Sequence, residues 1–271
     1  MSPIRTVIHG VLGQMGQEVF KAVSSDPETE IVGAVAHSSD TQEIALPDGS
    51  GNVPVLPSLD EAVSDTQPDV IIDFTTAQAT REAFLVAATQ KKHFVTGTSG
   101  LTPDDLENMN TLALGRGIGV IFAPNFALGA ILLMHLAESA APYADFTEII
   151  EMHHDKKIDA PSGTALATAE RMLAARGQDF EQQITTTANL EGTRGGNYGG
   201  IAIHSVRLPG LMAHQEIIFG FAGQTLTLRH DTINRECYMP GVLLAIKHVI
   251  QTKGLTVGLE SFMGLSKASN K

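Results

Sequence analysis

A chain of 271 residues, 43% of them hydrophobic, suffices for one large domain or two modest ones and is too apolar for a disordered or collagen-like design. With 30 Asp and Glu against 18 Lys and Arg the formal charge is −12, which argues against nucleic acid or an anionic membrane as partner; an anionic ligand must be met by a local positive site. The single cysteine, Cys237, excludes an intrachain disulfide and a cysteine-based zinc cage and suits a reducing cytoplasm, and no signal peptide or transmembrane span is read.

From the start of the chain, RTVIHGVLGQMGQEVFKAVSSDP reads as strand, glycine-spaced turn and helix, with Met15, Val19, Phe20 and Val23 at helical spacing. EIVGAVA at 30–36 is a second strand, and LPDGSGNVPVLPS is a loop rich in Gly, Pro and Ser. A short helix around Leu59 to Val63 precedes the buried strand DVIIDFT. Helix Ala77 to Gln90, strand HFVTGT, helix Pro103 to Ala113 and strand GVIFAPN continue the alternation, which implies a parallel sheet with helices on both faces.

Beyond Asn125 the pattern changes. Residues 128–141 predict an apolar helix, FTEIIEMHH a strand, and SGTALATAERMLAARG a helix closed by Gly177. IAIHSVRL, HQEIIFGFAG and QTLTLRH read as successive strands of an antiparallel or mixed sheet, hence a second α+β domain. The Gly-rich GTRGGNYGG at 192–200 is expected to be a mobile loop, and Pro240 to Thr252 a final helix.

The first chemical motif is GVLGQMG, with Gly10, Gly13 and Gly16 between a strand and a helix. Such glycines allow a tight turn, let backbone N–H groups approach a pyrophosphate and let helix pack closely on strand, so the motif points to dinucleotide binding on a Rossmann-like, doubly wound sheet; a merely structural turn is the alternative. The acid expected at the end of the second strand is missing, and His37, Ser38 and Ser39 stand there, either as ribose-phosphate contacts or as ordinary loop residues.

The second motif is EMHHDKKIDAPSGTA, Glu151 to Ala165. Adjacent histidines on a strand point to opposite faces, and neighbouring lysines repel a divalent cation, so a metal site is disfavoured. An anion site is favoured over a solvated loop: Ser162 can cap a helix starting at Gly163 and Thr164, with His154, Lys156 and Lys157 nearby, and a histidine can donate a proton near neutral pH.

This stretch resembles the signature E-x-H-H-x-x-K-x-D-A-P-S-G-T-A of the dihydrodipicolinate reductase family. The Met-Gly end of the glycine turn, IDFT at 72–75, GTSG at 97–100, APNFALG at 123–129 and His230 to Arg235 fall in the family's order along nearly the whole chain. The resemblance implies reduction of 4-hydroxy-tetrahydrodipicolinate by NADH or NADPH, in lysine and diaminopimelate synthesis. It assigns proton donation to His153 and a second catalytic role to Lys157, with the dicarboxylate substrate held by His154, Ser162, Gly163 and Thr164. Cofactor contacts would fall on Gly10, Val11, Leu12, Gly13, Gln14, Met15 and Gly16, on His37, on Phe74 and Thr75, on Gly97 and Thr98, and on Ala123, Pro124, Asn125 and Phe126.

The sequence departs from the family at two of these: Gln14 replaces an arginine able to reach a 2′-phosphate, and His37 replaces the acid of the second strand. One loss weakens NADPH and the other NADH, so dual use is expected. The resemblance also implies a nucleotide domain of residues 1–125 and 235–271, a substrate and oligomerisation domain of residues 126–234, and a homotetramer. Arg207 and Arg235 read as structural ion-pair partners before ligand contacts, and Asp159 as turn chemistry. Another nicotinamide enzyme would share the glycine turn without the H-H-x-x-K cluster, a hydrolase would need a nucleophile elbow that is absent, and a nucleotide sensor would dispense with His153 and Lys157.

Overall fold

A computed structural model describes residues 2–37, 40–182 and 185–265. Ser38 and Ser39 lie outside the described residues. The chain divides into two compact units, the first made of residues up to 127 together with 238–264, the second of 128–237.

The first unit begins β1 (Ile4–His9), α1 (Gln14–Ser25), β2 (Thr29–Val35), β3 (Glu43–Ala45), β4 (Asn52–Leu56) and α2 (Leu59–Thr66). It continues β5 (Val70–Asp73), α3 (Ala77–Thr89), β6 (His93–Thr96), α4 (Pro103–Arg116) and β7 (Gly119–Phe122). The second unit holds α5 (Leu128–Ala140), β8 (Phe146–His153), α6 (Gly163–Arg176), β9 (Gly196–Tyr198), β10 (Ile201–Arg207), β11 (Ala213–Phe221) and β12 (Gln224–Thr232). The chain then returns to the first unit through α7 (Met239–Val249) and β13 (Gly254–Val257).

The first sheet runs β13-β7-β6-β5-β1-β2-β4-β3, every pair parallel except β3 with β4. β5 and β7 are buried along their whole length, as strands covered on both faces must be, and their runs VIID and GVIF are accordingly almost wholly apolar. The helices stop and start on local chemistry: Thr102 and Asp105 form a capping box with Pro103 in the first turn of α4, and Gly117 ends that helix at φ 71. From β1 the chain moves to β2 on one side and later to β5 on the other, so the strand order reverses at β1.

The second sheet runs β12-β11-β8-β10-β9, with β8 and β10 parallel and the other pairs antiparallel. Ile149, Ile201, Ile203, Ile217 and Phe219 form one core with Leu133 and Ala137 of α5 and Ala165, Ala169 and Met172 of α6. The fold is thus the expected α/β unit with a Rossmann-like sheet plus an α+β unit with a mixed sheet. Four short strands, β3 among them, correct the sequence reading. The Gly/Pro-rich loop after β2 contains β4, the stretch GTRGGNYGG contains the edge strand β9, and β13 follows the last helix. In each case few residues and neighbouring glycines or prolines hide the strand pattern, and Pro54 in β4 is tolerated beside the three-residue edge strand β3.

The carboxyl ends of the central strands are tied together by Asp73, whose side chain has no exposure to solvent. His9 and Thr96 are its register partners on β1 and β6. One carboxylate oxygen pairs with His9 Nδ1 at 2.8 Å and accepts from Thr75 at 2.7 Å; the other accepts from the hydroxyls of Thr80, Thr96 and Thr98 at 2.6, 2.9 and 3.0 Å. Burial pushes this carboxyl up, and the bonds from His9, Thr80 and Thr75 outweigh it, holding the group below its ordinary 3.8. Its contribution to stability is therefore complete above that value and is lost as pH falls through the lower folded one. Asp73→Ala strands these donors and should lower unfolding free energy by about 3 kcal/mol at pH 7, read as a lower urea midpoint; an unchanged midpoint would contradict the pinning role.

Candidate active site

In the first unit the glycine turn joins β1 to α1. Gly10 adopts φ 85, and the amides of Gly10 and Val11 both donate to the Val35 carbonyl, at 3.0 and 3.2 Å. Gly13 is the N-cap of α1 and no side chain caps that end. A Cβ at Gly16 would overlap the Gly10 carbonyl oxygen, so glycine there is a packing requirement. Bare backbone and an uncapped helix start suit an anionic pyrophosphate, and the residues present fit a dinucleotide.

Three more loops reach the same sheet edge. Phe74 and Thr75 follow β5, Gly97 and Thr98 follow β6, and Ala123, Pro124, Asn125 and Phe126 follow β7. The Thr75 amide donates to the Thr98 hydroxyl at 3.0 Å, and the rings of Phe74 and Phe126 lie 5.5 Å apart, a closure that any Cβ at Gly97 would block. Leu12 and Gln14 are exposed, Met15 is half-buried, and His37 is exposed beyond β2. The structure thus brings the glycine turn and these loops to one edge, while His37 stands at the end of the neighbouring strand.

In the second unit the signature runs from the end of β8 into α6. Ser162 is the N-cap of α6: its hydroxyl accepts from the Ala165 amide at 3.2 Å, and Gly163 and Thr164 form the first turn, whose amides and dipole favour an anion. His153 is the last residue of β8, and His154 lies on the turn beyond it, where the Lys157 amide donates to the His154 carbonyl at 3.2 Å. Lys156 is exposed and Lys157 half-buried.

Sequence reasoning missed the group that organises this cluster. Glu151, without exposed side-chain surface, pairs with His153 Nδ1 at 2.5 Å and accepts both arms of the Arg207 guanidinium at 2.7 and 3.0 Å and the Ser162 amide at 3.3 Å. The available signal was period two: Glu151 and His153 share a face of the strand. Arg207 is an ion-pair partner, as read from its place near a sheet end. Asp159 corrects the reading of simple turn chemistry: both its carboxylate oxygens accept from Lys157 Nζ, at 2.7 and 2.9 Å, and its carbonyl accepts from Arg207 at 2.7 Å. Distance in sequence hid the second of these contacts, and the first is a pairing two residues apart.

Burial pushes His153 below its ordinary 6.5, Glu151 pulls it back up, and the cations Lys157 and Arg207 press it down again. Glu151 itself is pushed up by burial, and the bonds from Arg207, Ser205 and His153 more than reverse this, keeping it ionised.

A strand-order reversal at a bare glycine turn is where an open α/β sheet binds a dinucleotide, and the other unit couples a histidine to a helix start. The same fold recurs in an amine dehydrogenase from Mycobacterium smegmatis, with TM-score 0.65 and 16% identity over 94% of this chain and 95% of that one, a likeness of fold alone. The family description "Dihydrodipicolinate reductase, N-terminus" matches residues 4–126 and "Dihydrodipicolinate reductase, C-terminus" residues 129–263. The 4-hydroxy-tetrahydrodipicolinate reductase of Dehalococcoides mccartyi (strain CBDB1) is 51% identical over 98% of this chain and 100% of its own length; that of Bacillus subtilis (strain 168) is 43% identical over 96% and 98%. A dipicolinate-bound dihydrodipicolinate reductase from Paenisporosarcina sp. TG-14 superposes with TM-score 0.85 at 42% identity, covering 96% of this chain and 99% of that one. The chain belongs to the dihydrodipicolinate reductase family.

Because Lys157 holds the His153 titration down, Lys157→Met should raise the His153 midpoint in an NMR titration of the imidazoles. A midpoint that stays or falls would show that the lysine charge does not reach the ring.

Proposed function

We infer that this chain is the reductase that converts 4-hydroxy-tetrahydrodipicolinate, with one hydride from NADH or NADPH and one proton, to tetrahydrodipicolinate, the 4-hydroxyl leaving as water, a step of diaminopimelate and lysine biosynthesis. It is an NAD(P)H-dependent oxidoreductase, and the observation that carries the assignment is the coupling, through Glu151, of His153 to the capped start of α6. When bound, the nicotinamide supplies a hydride. The chain's own residues supply the rest.

Amides of the first turn of α6, at Gly163 and Thr164, receive a substrate carboxylate together with His154 and the Ser162 cap. His153 moves the proton that matches the hydride, and Lys157, oriented by Asp159, stabilises negative charge beside it. The turn from Gly10 to Gly16 holds the pyrophosphate, and the loops at Phe74–Thr75, Gly97–Thr98 and Ala123–Phe126 hold the remainder of the cofactor. No metal takes part in this reading, since Lys156 and Lys157 would repel one.

Finer points of the proposal follow from particular residues. Gln14 and His37, both exposed, support use of both cofactors. Residues 1–125 and 235–271 serve the nucleotide, and 126–234 serve substrate and assembly. A homotetramer is supported by the sheet face opposite α5 and α6, where Ile150, Met152, Val206 and Ile218 are only half-buried within one chain. Light scattering should then report four times the chain mass of 28.8 kDa; a monomer would end that part of the proposal. One cysteine supports a reducing cytoplasm, and among the described residues no helix is long and apolar enough to cross a membrane.

The decisive assay follows NADH and NADPH oxidation with freshly made 4-hydroxy-tetrahydrodipicolinate. Turnover in the unaltered chain should fall roughly 10²- to 10⁴-fold in His153→Gln with cofactor affinity retained; absence of substrate-dependent oxidation in the parent would overturn the assignment. The acid form of His153 disappears as pH rises through a value below 6.5, so kcat/KM of the free enzyme should decline with rising pH on that limb. A limb centred above 6.5 would point to another proton donor.

A further inference from the structure

We propose that Glu151 is a positioning residue of the reduction: it fixes the tautomer and orientation of the His153 ring and ties that ring to the substrate-binding start of α6. The inference rests on the assignment of proton delivery to His153.

The argument begins with charge. A carboxylate closed off from water neutralises itself unless donors surround it, and the two-armed bond from Arg207, at 2.7 and 3.0 Å, supplies a full counter-charge in matching geometry. An ionised carboxylate only accepts hydrogen bonds. At 2.5 Å from Glu151 Oε2, His153 Nδ1 must therefore be the protonated nitrogen. The other nitrogen, Nε2, is left to hand over a proton, and the neutral ring that remains is the Nδ1–H form.

Register makes this arrangement rigid. Glu151 and His153 stand two apart on β8, with Ser205 and Arg207 as their partners on β10 and Gln215 and Ala213 on β11. The groups that set the charge around the ring are Glu151 from its own strand, Arg207 from β10 and Lys157 from the following loop, while β11 offers the uncharged Ala213. The other Glu151 oxygen accepts the Ser162 amide at 3.3 Å, and Ser162 Oγ in turn caps α6. A carboxylate present only to neutralise Arg207 has no need of either bond. One side chain thus sets the spacing between the proton donor and the anion-binding turn.

The test compares the unaltered chain with Glu151→Gln, Glu151→Asp and Arg207→Lys. Long-range ¹H–¹⁵N NMR of the imidazoles, without substrate and above the His153 titration, should show Nδ1–H in the parent and a shift toward Nε2–H in Glu151→Gln. Folding of each variant is checked by near-ultraviolet circular dichroism. In the coupled assay Glu151→Gln should lose roughly 10- to 100-fold in kcat with little change in KM, and its pH profile should move to lower pH, because the charge that holds His153 up is gone. Glu151→Asp, which keeps the charge, should recover the pH profile ahead of the rate.

An Nε2–H ring in the parent overturns the proposal, and this measurement needs no variant to fold. So does a Glu151→Gln protein with the parent's tautomer, kcat and pH profile. If the parent shows the expected tautomer but no substrate-dependent oxidation, the functional assignment fails while the Glu151–His153 arrangement stands.

Discussion

A carboxylate removed from water must be met by donors on every side, and each unit of this protein is arranged around one such group. Asp73 draws His9, Thr75, Thr80, Thr96 and Thr98 from two strands, two loops and a helix onto its two oxygens. Those donors hold the loops that carry the proposed cofactor contacts at Phe74, Thr75, Gly97 and Thr98. Glu151 draws His153, Arg207 and Ser162 from two strands and a helix start. Without either carboxylate the adjoining loops would lose a shared anchor.

The two groups differ in how their charge is met, and the difference suits their surroundings. Four of the five Asp73 donors are neutral hydroxyls, which can rotate but carry no charge to the strand ends. Around Glu151 the chief donor is a guanidinium, planar and permanently charged, so orientation is imposed along with neutrality. Hydroxyls suffice to lock loops in place. A ring whose two nitrogens must be told apart requires the fixed acceptor that a guanidinium secures.

Much of this was legible in the sequence because it depends on near neighbours. The alternation of apolar strands with capped helices shows the first sheet, and Ser162 announces the start of α6 through the residues that follow it. GVLGQMG shows its own turn, and the corrected strands β3, β4, β9 and β13 were hidden by brevity. The carboxylate partners were illegible for another reason. His9 and Asp73 are 64 residues apart and Arg207 and Glu151 are 56 apart, so neither pairing leaves a local trace. Glu151 stands in the signature beside His153 and Ser162, but the guanidinium that keeps it charged comes from another strand.

The order of the chain adds a constraint of timing. β13 forms the outer edge of the first sheet beside β7, but its residues follow the segment Leu128–Cys237 of the second unit. As the polypeptide leaves the ribosome, the segment Leu128–Cys237 is complete before α7 and β13 exist. Until they emerge, β7 presents an unpaired edge, with GVIF as its exposed template. The nucleotide-binding half, first to begin, is thus the last to close.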